Sequence, residues 1–210
     1  MSIPGGGRLR VIVVDDQQMV RGALATLLSL EEDIDVVAQA GSGREAVEAI
    51  AATPAPIDVV VMDVEMPDMD GITACEAIRS RFPSVRVLML TTFGRPGYVQ
   101  RSLDAGASGF MVKDAPSEQL ADAVRRVCAG HRIIDPTLAV ETLARGASPL
   151  TDREVDVLRA VAEGGTIADI AAQLGLGPGT VRNHVSAVMA KTNARTRAEA
   201  VRIATDAGWL

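Results

Sequence analysis

The chain has 210 residues, of which 48% are hydrophobic, 23% are charged and 2% are aromatic, so a core must be built from aliphatic side chains, as in an ordinary globular protein. No apolar run approaches the roughly 18 residues of a membrane span, and residues 1–7 lack the segments of a secretion signal. These features exclude the membrane-spanning and secreted classes and predict a cytoplasmic protein with no membrane partner.

From the N-terminus onward, short runs rich in β-branched residues alternate with longer segments whose apolar residues recur at helical spacing. The predicted strands are Leu9–Val14, Asp35–Ala38, Ile57–Met62, Val85–Leu90 and Gly109–Val112. The predicted helices are Met19–Leu30, Arg44–Ala51, Ile72–Arg81, Tyr98–Ala105 and Ser117–Cys128. This alternation predicts an α/β fold, with a five-stranded, parallel, doubly wound sheet covered by helices on both faces. In such sheets, ligands bind outside the carboxyl ends of the strands.

Beyond Cys128 the chain changes character. We predict a first domain at 1–130, a linker at 131–148 and a second domain at 149–210 in which strand signals disappear. Thr151 followed by Glu154 predicts a capping box at the start of a helix. Further helices are predicted at Ile167–Leu174, Gly179–Lys191 and Thr196–Ala207. A glycine-bearing turn joins the first two of these, which predicts an all-α four-helix helix-turn-helix domain.

The net charge of −6 is unevenly distributed along the chain. Residues 1–149 hold 14 basic against 20 acidic side chains, whereas residues 150–210 hold 7 of each. Between positions 179 and 203, Glu199 is the only acid among five basic residues: Arg182, Lys191, Arg195, Arg197 and Arg202. This segment predicts a local positive field suited to nucleic-acid phosphates.

Polar side chains gather where the predicted strands end. Asp15 and Asp16 follow the first strand, Asp63 the third, Thr91 the fourth and Lys113 the fifth. Alone, each has an ordinary explanation: a helix cap for the aspartates, a surface charge for the lysine, and a strand end for the threonine. Together they converge on the ligand-binding edge, where a hard cation such as Mg²⁺ would relieve the repulsion between the carboxylates. The joint placement favours a phosphoryl site.

The run VVVMDVEMPDMDG at 59–71, together with these five residues, resembles the receiver domain of bacterial response regulators, a flavodoxin-like fold. The resemblance implies that Asp63 is the phosphoacceptor and attacks a phosphohistidine of a sensor histidine kinase. It implies that Mg²⁺ is held by Asp16, Asp63 and the backbone carbonyl of Glu65, with Asp15 assisting through water.

The same resemblance implies that Thr91 and Lys113 bind the phosphoryl oxygens. It places Phe110 at the position of the aromatic switch residue. Because phenylalanine has no hydroxyl group, this switch is expected to work by packing.

The segments LTDREVDVL, IAAQLGL and GTVRNHVSAVMAK resemble the helix-turn-helix domain of the NarL/FixJ (LuxR-type) regulators, which implies that residues 179–191 enter the major groove. The spacing predicts an apolar core stripe on this helix, formed by Val181, Val185, Val188 and Met189. On another face, Arg182, Asn183 and Ser186 are predicted to read base edges. Thr180, His184 and Lys191 are predicted to contact phosphates, although a plain surface residue is the alternative for His184.

We therefore predict a two-component response regulator, not an enzyme, that dimerises on phosphorylation and binds promoter DNA to regulate transcription. Two alternatives stay open. One is a constitutive DNA-binding protein whose first domain is never phosphorylated. The other is a Mg²⁺-dependent phosphatase with an aspartyl-phosphate intermediate, although Glu65 stands where such an enzyme would need a second aspartate.

Overall fold

The computed structural model describes residues 7–92, 96–136, 138–139, 148–207 and 209–210, which form two compact units. Part of the predicted linker, residues 137 and 140–147, lies outside this range. Among the described residues, none of the helices combines the length and the apolar character that crossing a bilayer requires.

The first unit is built on a parallel sheet with the strand order β2-β1-β3-β4-β5-β6. Its strands are β1 Leu9–Val14, β2 Ile34–Ala40, β3 Val59–Asp63, β4 Arg86–Thr91, β5 Gly109–Val112 and β6 Ile133–Ile134. The helices between them are α1 Gln18–Ser29, α2 Gly43–Ala52, α3 Gly71–Arg81, α4 Pro96–Asp104 and α5 Ser117–Cys128. The predicted parallel doubly wound sheet is confirmed.

The predicted number of five strands was wrong, because β6 adds a sixth at the edge. Ile133 and Ile134 pair in parallel with Gly109 and Phe110 of β5. This two-residue strand lies within the stretch predicted as linker. It has no local signal, because two apolar residues show no periodicity and their pairing depends on a partner more than twenty residues away.

The core of this unit lies between the sheet and its helices. Strands β1, β3 and β4 are almost completely buried, as expected of central strands in a parallel sheet. One face packs against α1 and α5 through Leu24, Leu28, Val124 and Val127. The carboxyl ends of the central strands therefore meet at one fixed edge.

The second unit is helical where described, with α6 Asp152–Glu163, α7 Ile167–Leu174, α8 Pro178–Thr192 and α9 Arg197–Asp206. The predicted capping box is confirmed, because Thr151 accepts from the Glu154 N–H at 3.3 Å while the Glu154 side chain accepts from the Thr151 N–H at 2.7 Å. A second capping box, which the sequence interpretation missed, joins Thr166 and Asp169 at the start of α7.

Candidate functional site

Three carboxylates converge at the carboxyl edge of the sheet. Strands β1 and β3 are neighbours, with Val14 opposite Met62, so the aspartates that follow each strand are brought together. Oxygen atoms of Asp15, Asp16 and Asp63 all lie within 4.8 Å of one another. Asp15 and Asp63 are buried and Asp16 is exposed, which leaves the cluster open to solvent on one side.

The ammonium group of Lys113 bridges two of these carboxylates. Its Nζ lies 2.7 Å from Oδ2 of Asp15 and 2.8 Å from Oδ2 of Asp63. The backbone N–H of Lys113 donates to the Thr91 carbonyl at 2.7 Å, which joins the ends of β4 and β5. Thr91 is itself fully buried. All five predicted receiver residues therefore lie at one edge, as the sequence predicted.

Burial and ion pairing act in opposite directions on the two central groups. Burial raises the pKa of Asp63, and its contacts with Lys113 only partly offset this effect. For Lys113, burial alone would lower the pKa, but the paired Asp15 and Asp63 carboxylates outweigh it and raise the pKa. The lysine therefore stays charged and can neutralise anionic oxygen atoms placed beside Asp63.

The chemistry of the donor set fits a hard divalent cation. Mg²⁺ prefers oxygen ligands and is commonly held by one or two carboxylates together with water and phosphate oxygens. Asp16 and Asp63 would supply the carboxylates. Asp15 already pairs with Lys113 and accepts from the Gln17 N–H at 2.9 Å, so a role through water suits it better than direct coordination.

The two remaining predicted receiver residues have different surroundings. Glu65 follows β3 in an exposed loop, and its backbone hydrogen-bonds the Asp63 carboxylate. Phe110 is fully buried within β5, beside Met89 of β4. A change at the site that reaches Phe110 must therefore act through packing, because this ring has no exposed edge.

Arg21 is a residue of this edge that the sequence interpretation missed. It lies in the first turns of α1, and its Nη1 donates to the Asp15 carbonyl at 2.5 Å. The same guanidinium group lies against Gly41 at the end of β2. Arg21 therefore contacts both the loop after β1 and the loop after β2, on that side of the acidic cluster. Its signal, an arginine six residues after Asp15, is not specific enough to be recognised from the sequence.

In the second unit, helix α8 packs one face into the core and leaves another exposed. The predicted apolar stripe is confirmed: Val181 and Val188 are fully buried, and Val185 and Met189 pack beside them. Four predicted DNA-contacting residues are exposed, Thr180, Arg182, Asn183 and Ser186, and His184 is half-buried. Gly175, in the left-handed conformation with φ of 63°, ends α7 and opens the turn to α8.

Lys191 differs from the other predicted phosphate contacts because it already has an anionic partner. Its Nζ lies 2.6 Å from Oε2 of Glu154, whose side chain is buried. This ion pair connects α8 to the start of α6. A linear sequence could not indicate this pair, because its partners lie 37 positions apart. The phosphate contact of Lys191 stays a prediction.

A parallel doubly wound sheet with carboxylates and a lysine at its carboxyl edge, followed by a helix-turn-helix unit, defines a class of two-domain signalling proteins that bind DNA. Comparison with known proteins specifies the class further. Residues 11–125 match the family described as "Response regulator receiver domain", and residues 148–204 match "Bacterial regulatory proteins, luxR family". The chain belongs to the response regulators of the NarL/FixJ type, which join these two domains, as the sequence predicted.

Relatives match along almost the whole chain. The transcriptional regulatory protein DesR of Bacillus subtilis is 42% identical over 96% of this chain and 99% of its own length. The uncharacterized transcriptional regulatory protein YvfU of the same organism is 43% identical over 96% of this chain and 100% of its own length. The crystal structure of the response regulator ChrA, from a heme-sensing two-component system, is similar at 32% identity, with a TM-score of 0.56 over 95% of this chain and 97% of that one.

Two of these relatives are named as transcriptional regulatory proteins, and the family to which this chain belongs consists of DNA-binding regulators of transcription, not enzymes. The heme named for ChrA belongs to that protein's system. The predictions of family, fold class and transcriptional function are confirmed. The roles of the individual site residues remain predictions.

Proposed function

We propose that this protein is switched by phosphorylation of Asp63 and that the phosphorylated form binds promoter DNA as a homodimer. The observation that supports this most strongly is the geometry around Asp63. This buried carboxylate lies within 4.8 Å of Asp15 and Asp16 and within 2.8 Å of the Lys113 ammonium group. Such a site pairs a nucleophile with positive charge and cation ligands at the edge where doubly wound sheets bind ligands.

The proposed chemistry is transfer from a phosphohistidine of a sensor histidine kinase. An oxygen of Asp63 forms a bond to phosphorus as the bond between phosphorus and the histidine nitrogen breaks. Asp16, Asp63 and the Glu65 carbonyl would hold Mg²⁺, whose charge would offset that of the phosphoryl oxygens. Lys113 would exchange its contact with the Asp63 carboxylate for a phosphoryl oxygen, and the Thr91 hydroxyl would donate to another. These shifts would reach Phe110 through the packing of β4 against β5.

Helix α1 offers the surface through which we propose that two receivers pair. Its exposed side carries Met19, Ala23 and Leu27, with Leu30 at its end, at the spacing of one helix face. Met19, Leu27 and Leu30 are 86%, 40% and 75% exposed. Grouped exposed apolar side chains mark interaction sites on soluble domains. A second copy is the proposed partner, because a two-fold axis would bury the same face on both chains.

For the DNA-binding domain, we propose that α8 enters the major groove. Arg182, Asn183 and Ser186 would read base edges, and Thr180 and His184 would contact phosphates. Two paired domains would contact half-sites about one helical turn apart. By the resemblance to DesR we propose a DesK-like histidine kinase as the partner. We also propose a cytoplasmic location, because the protein would act on promoter DNA.

The test compares wild type with Asp63→Ala and with Asp104→Ala, which removes an exposed carboxylate from α4. Each full-length protein receives a small-molecule phosphodonor with Mg²⁺ and is followed by intact mass and by light scattering during size exclusion. Wild type and Asp104→Ala should gain one phosphoryl group and dimerise, while Asp63→Ala should do neither.

Two results would overturn the proposal. If the Asp63→Ala protein gains as much mass as wild type, Asp63 is not the phosphoacceptor. If wild type gains none and still binds DNA, the protein is a constitutive DNA-binding protein. Turnover of external phosphate esters would favour the phosphatase alternative.

A further inference from the structure

A polar cavity lies at the edge of the receiver sheet opposite the acidic cluster. It encloses about 160 Å³ between the end of α3, the start of β4, the loop before β5 and the turn after α5. Arg86 at the start of β4 contributes to its wall, whereas Thr91 at the end of the same strand belongs to the phosphoacceptor edge. The five intervening steps of extended chain measure roughly 17 Å. The cavity is therefore separate from the acidic cluster.

The lining of this cavity has one sign of charge. Three arginines, Arg79, Arg86 and Arg132, line it together with His131 and small and apolar residues, and no aspartate or glutamate is among the lining residues. This is unexpected in a region where residues 1–149 hold 20 acidic and 14 basic side chains. Side chains of like charge repel one another where they converge, so an anion between them would stabilise the arrangement.

No internal carboxylate supplies that anion within the described part of the chain. Arg79, Arg86 and Arg132 have no carboxylate oxygen within 4.0 Å there, although ion pairs at other arginines are present. Asp58 lies nearby, since its carbonyl accepts from the Arg86 N–H. Its carboxylate instead accepts from the Arg10 N–H at 2.8 Å. The cationic groups of the cavity therefore have donors available for a ligand.

One wall of the cavity is already fixed in place. Nη1 of Arg79 donates to the carbonyls of Pro83 and Val85, both at 2.6 Å, which holds its guanidinium group at the end of α3. Gly106 has a φ of +88°, and a side chain there would press on Cγ of Arg79 at 3.2 Å. Because the position of this arginine is set before a ligand arrives, little ordering cost remains for binding.

The size and charge of the cavity indicate the class of ligand. Small-molecule sites for drug-sized ligands usually enclose about 300–1,000 Å³, so about 160 Å³ is too small for a nucleotide. A water molecule occupies roughly 30 Å³. By that measure the cavity has room for one tetrahedral oxyanion and a few water molecules. Arginine guanidinium groups match phosphate oxygens in bidentate geometry. We propose that this cavity binds inorganic phosphate as a dianion, independently of Asp63.

The experiment titrates ¹⁵N-labelled full-length protein with inorganic phosphate at constant ionic strength, with a chelator present so that no divalent cation bridges phosphate to the acidic cluster. Amide resonances of Ser108, Gly130 and His131 should shift and saturate. Arg86→Gln combined with Arg132→Gln should weaken binding about tenfold or more, since it removes two charged hydrogen-bond donors.

The matched control combines Arg8→Gln with Arg44→Gln. It removes the same charge from exposed positions elsewhere on the receiver, and it should change the affinity by less than about twofold, because exposed charges are screened. Thermal unfolding of both double variants verifies that they remain folded. The proposal is overturned if the shifts are confined to the DNA-binding domain, if they do not saturate at tens of millimolar phosphate, or if both double variants weaken binding equally.

Discussion

Gly71 shapes the loop behind the phosphoacceptor at the scale of a single residue. It opens α3, and its N–H donates to the Val64 carbonyl at 2.9 Å. A Cβ atom at this position would lie 1.9 Å from the Asp63 carbonyl oxygen and 3.0 Å from Cε of Met89. The former distance is far below any van der Waals contact. A glycine is therefore required here by close approach of the backbone, not by an unusual φ angle.

Replacing Gly71 with alanine should displace the backbone at Asp63 and weaken both the fold and the site. We expect a loss of about 1–3 kcal/mol in the free energy of unfolding, as for other overpacked positions, and slower Mg²⁺-dependent phosphorylation. Urea denaturation followed by circular dichroism and intact mass after phosphodonor treatment provide the two measurements.

Gly22→Ala is the matched control, because nothing lies within 4 Å of its added Cβ in α1. It should stabilise the protein by roughly 0.5–1 kcal/mol, since alanine favours a helix interior over glycine. Wild-type phosphorylation rates in the Gly71→Ala protein would show that the Asp63 loop tolerates the displacement.

At the scale of secondary-structure elements, Glu154 joins α6 to α8. Its carboxylate caps the start of α6 through the Thr151 N–H and pairs with Lys191 of α8 at 2.6 Å. Burial alone would raise the pKa of Glu154, but the hydrogen bonds from Lys191 and Thr151 outweigh it and lower the pKa. The charged form is thus favoured in the folded domain, and the position of α8 depends on it.

Because the pKa of Glu154 is lower in the folded domain than the roughly 4.3 of an unfolded chain, its contribution to stability is present above that value and is lost as the pH falls through the folded-state pKa. Glu154→Gln should therefore cost about 2 kcal/mol at pH 7 and progressively less below about pH 4. Fluorescence of Trp209, the single tryptophan, follows this domain specifically, because the partly buried side chain packs against the domain's core.

Asp156→Asn is the control for that measurement, since its pair with Arg153, at 3.6 Å, is solvent-exposed. We expect a change within about 0.5 kcal/mol at every pH. A cost of Glu154→Gln that stays constant from pH 7 to pH 3 would contradict the assigned role of the charge.

Helix α1 is the second element with a testable surface. Met19→Glu combined with Leu27→Glu places charge on its exposed apolar face, which should prevent dimerisation while Asp63 still gains a phosphoryl group. Light scattering and intact mass of the same sample separate the two effects. Ala51→Glu adds a charge to an exposed position of α2 and should leave dimerisation unchanged; a dimer that survives the α1 changes would show that another surface pairs.

For the whole molecule, local patterns predict most of the fold because strand and helix periodicities are properties of neighbouring residues. The convergence of Asp15, Asp63 and Lys113 was also predictable, since the ends of parallel strands meet at one edge. The edge strand β6, the Arg21 contact and the Lys191–Glu154 pair were not, because each depends on partners whose positions only the assembled domain sets. Lys191 shows the consequence: its internal partner, Glu154, lies 37 positions away and appears only in the folded domain, while its DNA contact stays a prediction.

Charge distribution over the whole molecule makes DNA binding depend on pairing. Residues 150–210 carry no net charge while residues 1–149 carry −6, from 14 basic and 20 acidic side chains, so a single chain should bind DNA weakly. The logarithm of affinity falls with the logarithm of salt concentration by roughly 0.9 per phosphate contact. We therefore expect the phosphorylated dimer to show about twice the slope of the unphosphorylated chain.

Fluorescence anisotropy on a DNA site selected from random sequences by the phosphorylated protein measures both slopes. Arg182→Ala should reduce the free energy of binding to this DNA site by about 1–3 kcal/mol, because an arginine contact with a base edge contributes that much to discrimination between bases. Arg159→Ala, at an exposed position of α6 outside the proposed reading face, should leave affinity within about twofold, since a distant exposed charge is screened. Equal slopes for the two phosphorylation states would mean that phosphorylation does not double the number of phosphate contacts. The proposal that a dimer places two α8 helices on the DNA would then be wrong.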